Sequence, residues 1–525
     1  MPLRAPLPVM FLSLVAVLAC EREVALYCCT DPGTCPVLRD CLPKYPDRPF
    51  CDMEARYPAS EGIARTCIPT PGDPLLPDAG PADASWACVM GCSAPTPICL
   101  RGACVECLSA SDCPQAQKPT CEAATHSCRG CREEAECEGR AGAPHCMLEG
   151  GLCVGCRDAG DCDALAPACD ETTRKCRGCR LDSECASSAC DRETGRCVPD
   201  ADVLHVDKNG GQTSDGCTKQ APCTTIAKAF SVARTSGARK WIRLAPASYP
   251  ETLEITDLDV AVTGTGADIR PPPDRPAVLV QGSAKLAIYG VRLRGASGTD
   301  GDGLLCQGAA GNRPRVLLDA VVIDENAEQG IESVRCAIVL RRAKVMKNAG
   351  GGIKLDTSDF EVVNSMIVAN GSPLLSRFGG ILITTESATT TGTLSFNTIA
   401  SNFAMPRQAA GVRCEVISPI LASNSIAWDN QSDFGDAPAP QVAGNCQWSY
   451  SDIGPTPQDG VGNLSADPQF RAPANPALLD YHLKPSSPCV NKADPERTDV
   501  TVDFDGEARA QGGRSDVGAD EVPPI

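Results

Sequence analysis

The sequence predicts an all-β protein in which a parallel β-helix, a solenoid of stacked strand coils, follows a disulfide-rich, loop-dominated repeat array. Two observations predict this class: the distribution of cysteine and a recurring apolar pattern that ends in Asn or Gly. Of the 34 cysteines in 525 residues, 26 lie from Cys28 to Cys197 and only seven lie beyond. The chain therefore divides into a cysteine-rich first part and a cysteine-poor second part with a different repeat.

The N-terminal segment 1–20 is typical of an export signal, with one basic residue (Arg4) and an apolar stretch over positions 7–18. This stretch is too short for a membrane-spanning helix, which needs roughly 20 apolar residues. The ending Val17-Leu18-Ala19-Cys20 resembles the bacterial lipobox, which implies lipidation at Cys20; the alternative is ordinary cleavage and release. Glu21 in place of Asp favours the outer membrane. We therefore expect an exported protein, lipid-anchored at the outer membrane or cell surface.

Export favours disulfides, because thiols that leave the cytosol meet oxidising conditions. From Cys104 the spacing C-x2-C-x5-C recurs in four units with a period of about 21 to 25 residues, closed by Cys197. Each unit has too few large apolar residues for a core, so cross-links must replace packing. Structural zinc is the alternative for C-x2-C pairs, but the two histidines of these units, His126 and His145, lie at non-equivalent positions. The spacing resembles myxobacterial-type cysteine-rich repeats, which implies no activity.

Five segments follow from composition. They are a signal peptide (1–20), a small cysteine-rich block (21–68), a Pro/Gly/Asp-rich linker (69–87), the repeat array (88–199) and the β-helix with its closing region (200–525). A capping helix is predicted over Thr224–Arg234, because Ile226, Ala229, Phe230 and Ala233 form one apolar stripe.

The second part repeats short apolar runs at intervals of about 22 to 31 residues. The runs end in asparagine, at Asn326, Asn348, Asn370, Asn402 and Asn430. A glycine followed by an aliphatic residue recurs as well, at Gly303, Gly330, Gly352, Gly380 and Gly411. Three strands of about 3 to 5 residues plus turns use this length, which predicts one solenoid coil per interval. We expect Asn and Gly at corners with φ > 0, and stacked asparagines that bond along the axis. The alternative is a β-sandwich with Asn/Gly hairpins.

Both ends of this part carry motifs. Near the start are VDKNGGQTSDGCTKQAPCTTIAKAF and Ala245-Pro246-Ala247-Ser248-Tyr249-Pro250-Glu251, and near the end are DPQF, DYHLKPSSPCVN, DFDGEAR and DVGADE. These motifs resemble the entrance and the choice-of-anchor-like closing region of right-handed parallel β-helix proteins of the pectin-lyase-like group. The resemblance covers nearly all of residues 203–523 and implies the fold and its ends.

The enzymes of that group typically have calcium-binding carboxylates beside an Arg or Lys, or neighbouring aspartates with a histidine. Beyond the array, this chain has only His205 and His482, both in the end motifs, and it has no Asp-Asp pair. In DFDGEAR a calcium loop would need acidic residues at Thr501 and Gly512. The sequence therefore predicts no catalytic residues, no metal ligands and no cofactor, and no motif supports calcium.

Alternation along the strand after each glycine predicts inward and outward positions. Inward are Leu304, Ile331, Ile353, Ile381 and Val412, with Cys306, Ser333, Leu355, Ile383 and Cys414 two residues later. Outward charged residues are Glu332, Lys354, Asp356, Arg413 and Glu415, the predicted contact surface for an extended ligand. The alternative is a solvated face with Glu332 and Lys354 as ion partners.

The sequence thus predicts a monomeric cell-surface lipoprotein that displays a β-helix on a disulfide-rich stalk, for adhesion, glycan binding or envelope architecture. The alternative is a polysaccharide lyase or glycoside hydrolase. Expected partners are a polysaccharide or another surface protein. The net charge of −18 disfavours nucleic acid and anionic membrane surfaces, so membrane contact should come only through the lipid anchor.

Three disulfides are predicted in the β-helix. Cys217 and Cys223 close a short loop, while the cysteines of each of the other two pairs are separated by about 30 residues, close to one coil. Those pairs are Cys306 with Cys336 and Cys414 with Cys446. Parity leaves Cys489 unpaired, and we expect it to be buried.

Overall fold

The computed structural model describes residues 50–52, 66–68, 92–100, 103–210, 216–385, 387, 390–432, 439–475 and 479–524. From Val203 the chain forms a right-handed parallel β-helix in which each coil contributes one strand to each of three parallel sheets, here named A, B and C. The parallel pairing of strands one coil apart excludes the β-sandwich, whose neighbouring strands would be antiparallel hairpins. The predicted fold class is confirmed.

The strands of the three sheets follow one another in the order A, B, C in each complete coil. Sheet A contains Val203–Val206, Lys240–Leu244, Asp259–Thr263, Lys285–Tyr289, Arg315–Asp319, Ala337–Arg341, Asp359–Val363, Gly392–Ser395, Ile420–Ser423 and Cys446–Ser449. Sheet B contains Ser248–Tyr249, Asp268–Ile269, Arg292–Arg294, Val322–Asp324, Lys344–Met346, Met366–Val368, Thr398–Ala400, Ile426–Trp428 and Asp452–Gly454. Sheet C contains Leu253–Thr256, Val278–Gln281, Leu304–Gln307, Gln329–Val334, Gly351–Asp356, Ile381–Thr385, Val412–Val416 and Val442–Gly444.

The core is a stack of side chains from the three sheets, one layer per coil. In sheet C the two predicted inward columns are both buried, from Leu304 through Val412 and from Cys306 through Cys414. Sheets A and B add further buried aliphatic columns, for example Val316 with Ile338 and Ile323 with Val345. The coils therefore bury a continuous apolar interior that no single coil could form alone.

The five predicted asparagines form a buried ladder along the corner between sheets B and C. Each donates its side-chain N–H to the side-chain oxygen of the next, over 2.8 to 3.0 Å, and Asn430 donates to Gln441. From Asn348 onward, each oxygen also accepts the backbone N–H of the preceding ladder residue, as Asn370 Oδ1 does from Asn348 N at 3.2 Å. The ladder thereby satisfies polar groups that would otherwise be unpaired inside the protein.

The prediction that the ladder asparagines and the regularly spaced glycines themselves have positive φ is wrong. The left-handed residue lies one position before each ladder asparagine, with φ between 52° and 56°. These residues are Glu325, Lys347, Ala369, Ser401 and Asp429. The five regularly spaced glycines have no positive φ either; a Cβ at Gly352 would lie 2.5 Å from Gly380 O, and one at Gly380 would lie 2.5 Å from Gly411 O. Glycine is therefore required by the close stacking of coils beside the ladder.

The capping helix α1 spans Ile226–Ser236, two residues later than predicted, and buries the predicted stripe. Thr225 is its N-cap and accepts the N–H of Lys228. Glu251 of the entrance motif accepts the N–H groups of Ile226 and Ala227 at 3.1 and 3.0 Å. The entrance motif is therefore structural, because its carboxylate satisfies the exposed N–H groups at the helix start.

The described residues form two compact units, one with residues up to Pro114 and Cys121–Cys128, the other with Gln115–Thr120 and residues from Arg129 onward. Two-stranded pairs and short 3-10 helices make up the cysteine-rich part. The strands are Phe50–Asp52, Thr66–Ile68, Ile98–Leu100, Ala103–Val105, Thr120–Glu122, Ser127–Arg129, His145–Met147, Leu152–Val154, Ala168–Cys169, Cys176–Arg177, Cys190–Asp191 and Arg196–Cys197. The 3-10 helices are Ala110–Asp112, Glu134–Glu136, Ala159–Asp161, Asp182–Glu184 and Asp200–Asp202.

The array disulfides join the first cysteine of each repeat to the third and the second to the fourth. The pairs are 107–121 and 113–128, 131–146 and 137–153, 156–169 and 162–176, and 179–190 and 185–197. The repeats therefore begin at Cys107, one cysteine later than the sequence spacing suggested, because Cys104 pairs with Cys92. These cross-links also exclude thiolate zinc sites at the same sulfur atoms.

Within the second unit, the last cysteine repeat packs against the first strands of sheet A. Ala189 and Val198 bury the outward side chains Trp241, Ala261 and Tyr289. Arg192 lies over the Tyr289 ring and within 4.0 Å of Asp182 and Asp319. Part of the outer face of sheet A is therefore covered.

The closing region packs on the outer face of sheet B. Its antiparallel hairpin, Phe470–Ala472 with Asp480–Leu483, and the final segment around Val517 bury outward residues of sheet B such as Met366 and Ile426, together with Phe396 in the turn that precedes a sheet B strand. Arg509, buried over the Phe396 ring, donates to Asn364 Oδ1 and to the carbonyls of Gly518 and Ala519. Among the described residues, no helix is both long and apolar enough to cross a membrane.

Candidate functional site

The outer face of sheet C carries all five predicted ligand contacts. The strand register places Glu332, Lys354 and Arg413 in one column and Asp356 and Glu415 in the next. Their side chains are half-buried or exposed, as expected for outward positions. The structure therefore brings the predicted residues together on one face.

A groove of about 630 Å³ lies over this face. Its floor includes Lys354, Leu382 and Arg413, one residue from each of three neighbouring coils. Its other lining residues are Glu328, Gln329, Gly350, Leu375, Arg377, Phe378, Thr384, Met405, Gln408 and Glu415. Of the five predicted contacts, Glu332 and Asp356 lie outside its lining.

The walls of the groove come from two long connections between sheets B and C, at positions 371–379 and 403–410. The earlier connections, from Asn326 to Gly330 and from Asn348 to Gly352, have only three residues each. The long connections support one another, because Met405 N donates to Ser376 O over 2.8 Å and Ser376 Oγ donates to Ala349 O. The groove therefore lies where the coils become longer. The longer intervals between the regularly spaced glycines are the feature of the sequence that could have indicated it.

The floor charges pair with one another. Lys354 Nζ lies 2.7 Å from Glu332 Oε1, and Arg413 forms an ion pair with Glu415 and a hydrogen bond to Gln408. The ion-pair alternative is thus compatible with the geometry. Arg377 on the wall is exposed and forms no ion pair with any described residue. It supplies an accessible positive charge to the groove.

Asp302, which the sequence analysis missed, is a buried carboxyl group beside this face. It accepts the Gln329 N–H at 2.9 Å, and the Gln329 amide can donate to both Asp302 Oδ1 and Glu332 Oε2, at 3.0 and 3.3 Å. Burial, followed by the negative charge of Glu332, raises the pKa of Asp302 to about 7. In the sequence Asp302 is part of an Asp-Gly pair, which indicates only a turn.

The other predicted site residues are cysteines. Disulfides join Cys217 to Cys223, Cys306 to Cys336 and Cys414 to Cys446, with Cα–Cα distances of 4.7, 6.4 and 5.7 Å, and these are the pairs that the spacing predicts. Cys489 is unpaired and buried, and its thiol donates to Asp452 Oδ2 at 3.1 Å. Burial and the nearby Asp452 carboxylate raise its pKa. The predicted lipidation site, Cys20, lies outside the described residues.

The fold and the groove define a disulfide-rich parallel β-helix protein. Residues 105–203, which contain the array repeats, match the model of a family of unknown function (DUF8331). No protein among the curated sequences matches the chain.

Solved structures with a similar fold include a pectate lyase, Pel9A, at 14% identity, which covers 61% of this chain and 96% of that one with a TM-score of 0.35. Pectin methylesterase PemA from Erwinia chrysanthemi has 14% identity, coverage of 50% and 92%, and a TM-score of 0.26. A pectin methylesterase from Aspergillus niger has 13% identity, coverage of 51% and 85%, and a TM-score of 0.27. At this identity the likeness concerns the fold alone.

Proposed function

We propose that this chain is a lipid-anchored cell-surface protein that binds an extended glycan in the groove on sheet C. The observation that carries the proposal is the groove itself, which lies on outward side chains of successive coils. Neighbouring coils are spaced about 4.8 Å apart. A polymer that lies along the β-helix axis would therefore meet an equivalent outward position in every coil.

The coverage of the other two sheets supports this choice of face. The last cysteine repeat covers outward residues of sheet A such as Trp241 and Tyr289, and the closing region covers those of sheet B such as Met366 and Ile426. In sheet C the outward residues Lys354, Leu382 and Arg413 line a groove instead.

The composition of the groove suits a carbohydrate. Apolar side chains, namely Leu375, Phe378 and Leu382, lie beside charged and amide groups that can bond to hydroxyl groups. Arg377 is the cation of the groove that no described carboxylate neutralises.

Binding should be tested with a glycan array and the full chain, followed by Arg413→Ala. We expect weaker binding to the retained glycan with an unchanged melting temperature, because Arg413 is half-exposed. Arg315→Ala, an exposed arginine on the outer face of sheet A, is the matched control and should bind as the wild type does. Equal affinity of Arg413→Ala and wild type would remove the sheet C face from consideration.

The anchor is a separate part of the proposal and rests on the leader. Replacing Cys20 by Ser should move the protein from the detergent phase to the aqueous phase in a partitioning experiment. The repeat array would then act as a stalk between the lipid and the β-helix. Unchanged partitioning would show that Cys20 carries no lipid.

A polysaccharide lyase or glycoside hydrolase is the second candidate, and Asp302 is the observation in its favour. A carboxyl group with a pKa of about 7 suits general acid–base catalysis near neutral pH. However, Asp302 is only 4% exposed and does not line the groove. Incubation with uronate polymers, with and without calcium, separates the candidates. Unsaturated products or new reducing ends would establish catalysis, and their absence alongside binding would support the first proposal.

A further inference from the structure

Three segments of the closing region bring a histidine and two aspartates together. His482 comes from the hairpin strand Asp480–Leu483, Asp505 from the turn after Phe504, and Asp520 from the final segment. One potential ligand atom from each of the three side chains lies within 4.8 Å of the other two. The cluster lies outside the groove on sheet C and is independent of the proposed glycan binding.

The imidazole of His482 is oriented as in a metal ligand. Its Nδ1 lies 2.5 Å from Asp480 Oδ1, so this carboxylate can accept the Nδ1 proton. Nε2 lies 2.9 Å from Asp505 Oδ2, a distance at which a protonated Nε2 donates to that carboxylate, and a metal ion bound here would take the place of that proton. Histidines that bind metals typically donate their other ring N–H to a carboxylate in this way.

The spacing of the ligand atoms also suits a metal ion. Zinc binds histidine nitrogen and carboxylate oxygen at about 2.0–2.2 Å in tetrahedral geometry, which places two such ligands about 3.4 Å apart. The 2.9 Å between His482 Nε2 and Asp505 Oδ2 is a hydrogen-bond distance, and a side-chain shift of about 0.5 Å would bring the two atoms to the metal-ligand separation.

The charge of the cluster is a second and independent observation. Asp520 is 4% exposed, yet no described Lys, Arg or His lies within ion-pair distance of its carboxylate. Its only hydrogen bond within the described residues comes from Leu483 N, to Oδ2 at 2.7 Å. Asp480 and Asp505 share the single imidazole of His482. A buried carboxylate whose cationic neighbours, here His482 and Arg471, lie beyond ion-pair distance is costly, and a bound cation would lower that cost.

We propose that His482, Asp505 and Asp520 bind a divalent transition-metal ion of the Zn²⁺ or Mn²⁺ class, with Asp480 orienting the imidazole. One nitrogen with two carboxylates favours this class over Ca²⁺, which takes six to eight oxygen ligands. The ion would join the hairpin, the Phe504 turn and the final segment that together cover sheet B. The sequence analysis predicted no metal site, because the three residues are 15 to 38 positions apart and belong to different motifs.

The experiment uses the full chain with its disulfides intact. After treatment with EDTA and dialysis, the protein is titrated with Zn²⁺ and separately with Mn²⁺. We expect one ion per chain by calorimetry, electron paramagnetic resonance signals of bound Mn²⁺, and a higher melting temperature with metal, since a ligand that binds the folded state stabilises it. Failure of both ions to bind would overturn the proposal.

The variants separate a metal site from a histidine that is only ion-paired. Asp505→Asn should weaken binding at least tenfold and keep the fold, because Asp505 is partly exposed. Asp499→Asn is the control, an exposed carboxylate in the same region that pairs with Arg497. His482→Gln should abolish the metal-dependent rise in melting temperature. Wild-type affinity in Asp505→Asn would overturn the assignment of the ligands.

Discussion

The cysteine repeats and the β-helix coils are both short units repeated along the chain, but different forces hold them. In the repeat that contains Cys131, Cys137, Cys146 and Cys153, the buried cluster consists of those cysteines themselves. A β-helix coil instead buries aliphatic side chains against the coils before and after it. A short unit of about 23 residues is therefore stabilised by disulfides where it has few apolar residues. Where it has many, it is stabilised by apolar packing against the neighbouring units.

One carboxyl group in each region illustrates opposite shifts of the pKa. In the repeats, carboxylates lie beside arginines; the side-chain hydrogen bond from Arg129, for example, lowers the pKa of Glu136 to about 2. In the β-helix, burial raises the pKa of Asp302 to about 7. Glu136 and Asp302 should therefore contribute to stability with opposite dependence on pH, whereas other β-helix carboxylates, such as Asp257 with its hydrogen bonds from Ser283, have a lowered pKa like Glu136.

Reduction of the disulfides should have the largest effect on the difference in stability between the two regions. A disulfide that closes a loop of about 15 residues contributes on the order of 3 kcal/mol, and each repeat has two with separations of 11 to 16 residues. With dithiothreitol, amides of residues 129–176 should lose protection in hydrogen exchange while those of residues 259–423 keep it. Equal loss in both regions would mean that the disulfides also hold the coils together.

The next effect concerns the ladder. Asn370 donates to Val345 O and Asn402 Oδ1 and accepts from Asn348, so Asn370→Ala leaves several buried groups without partners. We expect a loss of about 3–5 kcal/mol in the free energy of unfolding, measured by urea denaturation. Asn445→Ala, at an exposed asparagine, is the control and should cost less than about 1 kcal/mol. If Asn370→Ala lowers the free energy of unfolding only slightly, packing alone sets the register of the coils.

A smaller effect concerns pH. The unfolded Asp302 carboxyl ionises near pH 3.8 and the folded one near pH 7, so the folded state holds the extra proton between these values. The contribution of Asp302 to the stability of the β-helix should therefore fall as pH rises from about 4 to 7. Asp302→Asn, which keeps the acceptor for Gln329 N, should raise stability at pH 8 by on the order of 2 kcal/mol and change little at pH 4. The negative charges of Glu332, Glu328 and Asp300 lie near Asp302 and raise its pKa further.

The contribution of Glu136 in the repeats should show the opposite sign. Because the pKa of Glu136 is lowered, its contribution is complete above pH 4.5 and disappears as pH falls towards 2. Hydrogen exchange at pH 3 and pH 5 would compare the two regions in one sample. Protection of residues 129–176 that does not rise from pH 3 to pH 5 would contradict the lowered pKa of Glu136.

The smallest expected effect concerns the groove. Lys354→Gln removes the ion pair with Glu332, which is partly exposed, and should cost about 0.2–1 kcal/mol. The melting temperature should hardly change. A large loss would mean that this face is built for stability, and it would weaken the case for a ligand.

The sequence was sufficient for features that repeat. Alternation identified inward residues such as Ile331 and Ile353, and the interval between glycines identified the coils. It was insufficient where one segment packs on another far away in sequence. Nothing local indicates that outward residues Met366 and Ile426 are covered by the closing region, or that His482 meets Asp520. Asp302 was missed for the same reason, because its environment comes from the next coil.

The asparagine ladder also has a consequence for how this molecule can change over evolutionary time. Its hydrogen bonds remain at 2.8 to 3.0 Å whether the connection that follows has three residues, as after Asn348, or nine, as after Asn370. Insertions at this corner therefore leave the register of neighbouring coils intact. Loops of different length and sequence can therefore be inserted at this corner. Ligand specificity can change there while the stacked coils stay the same.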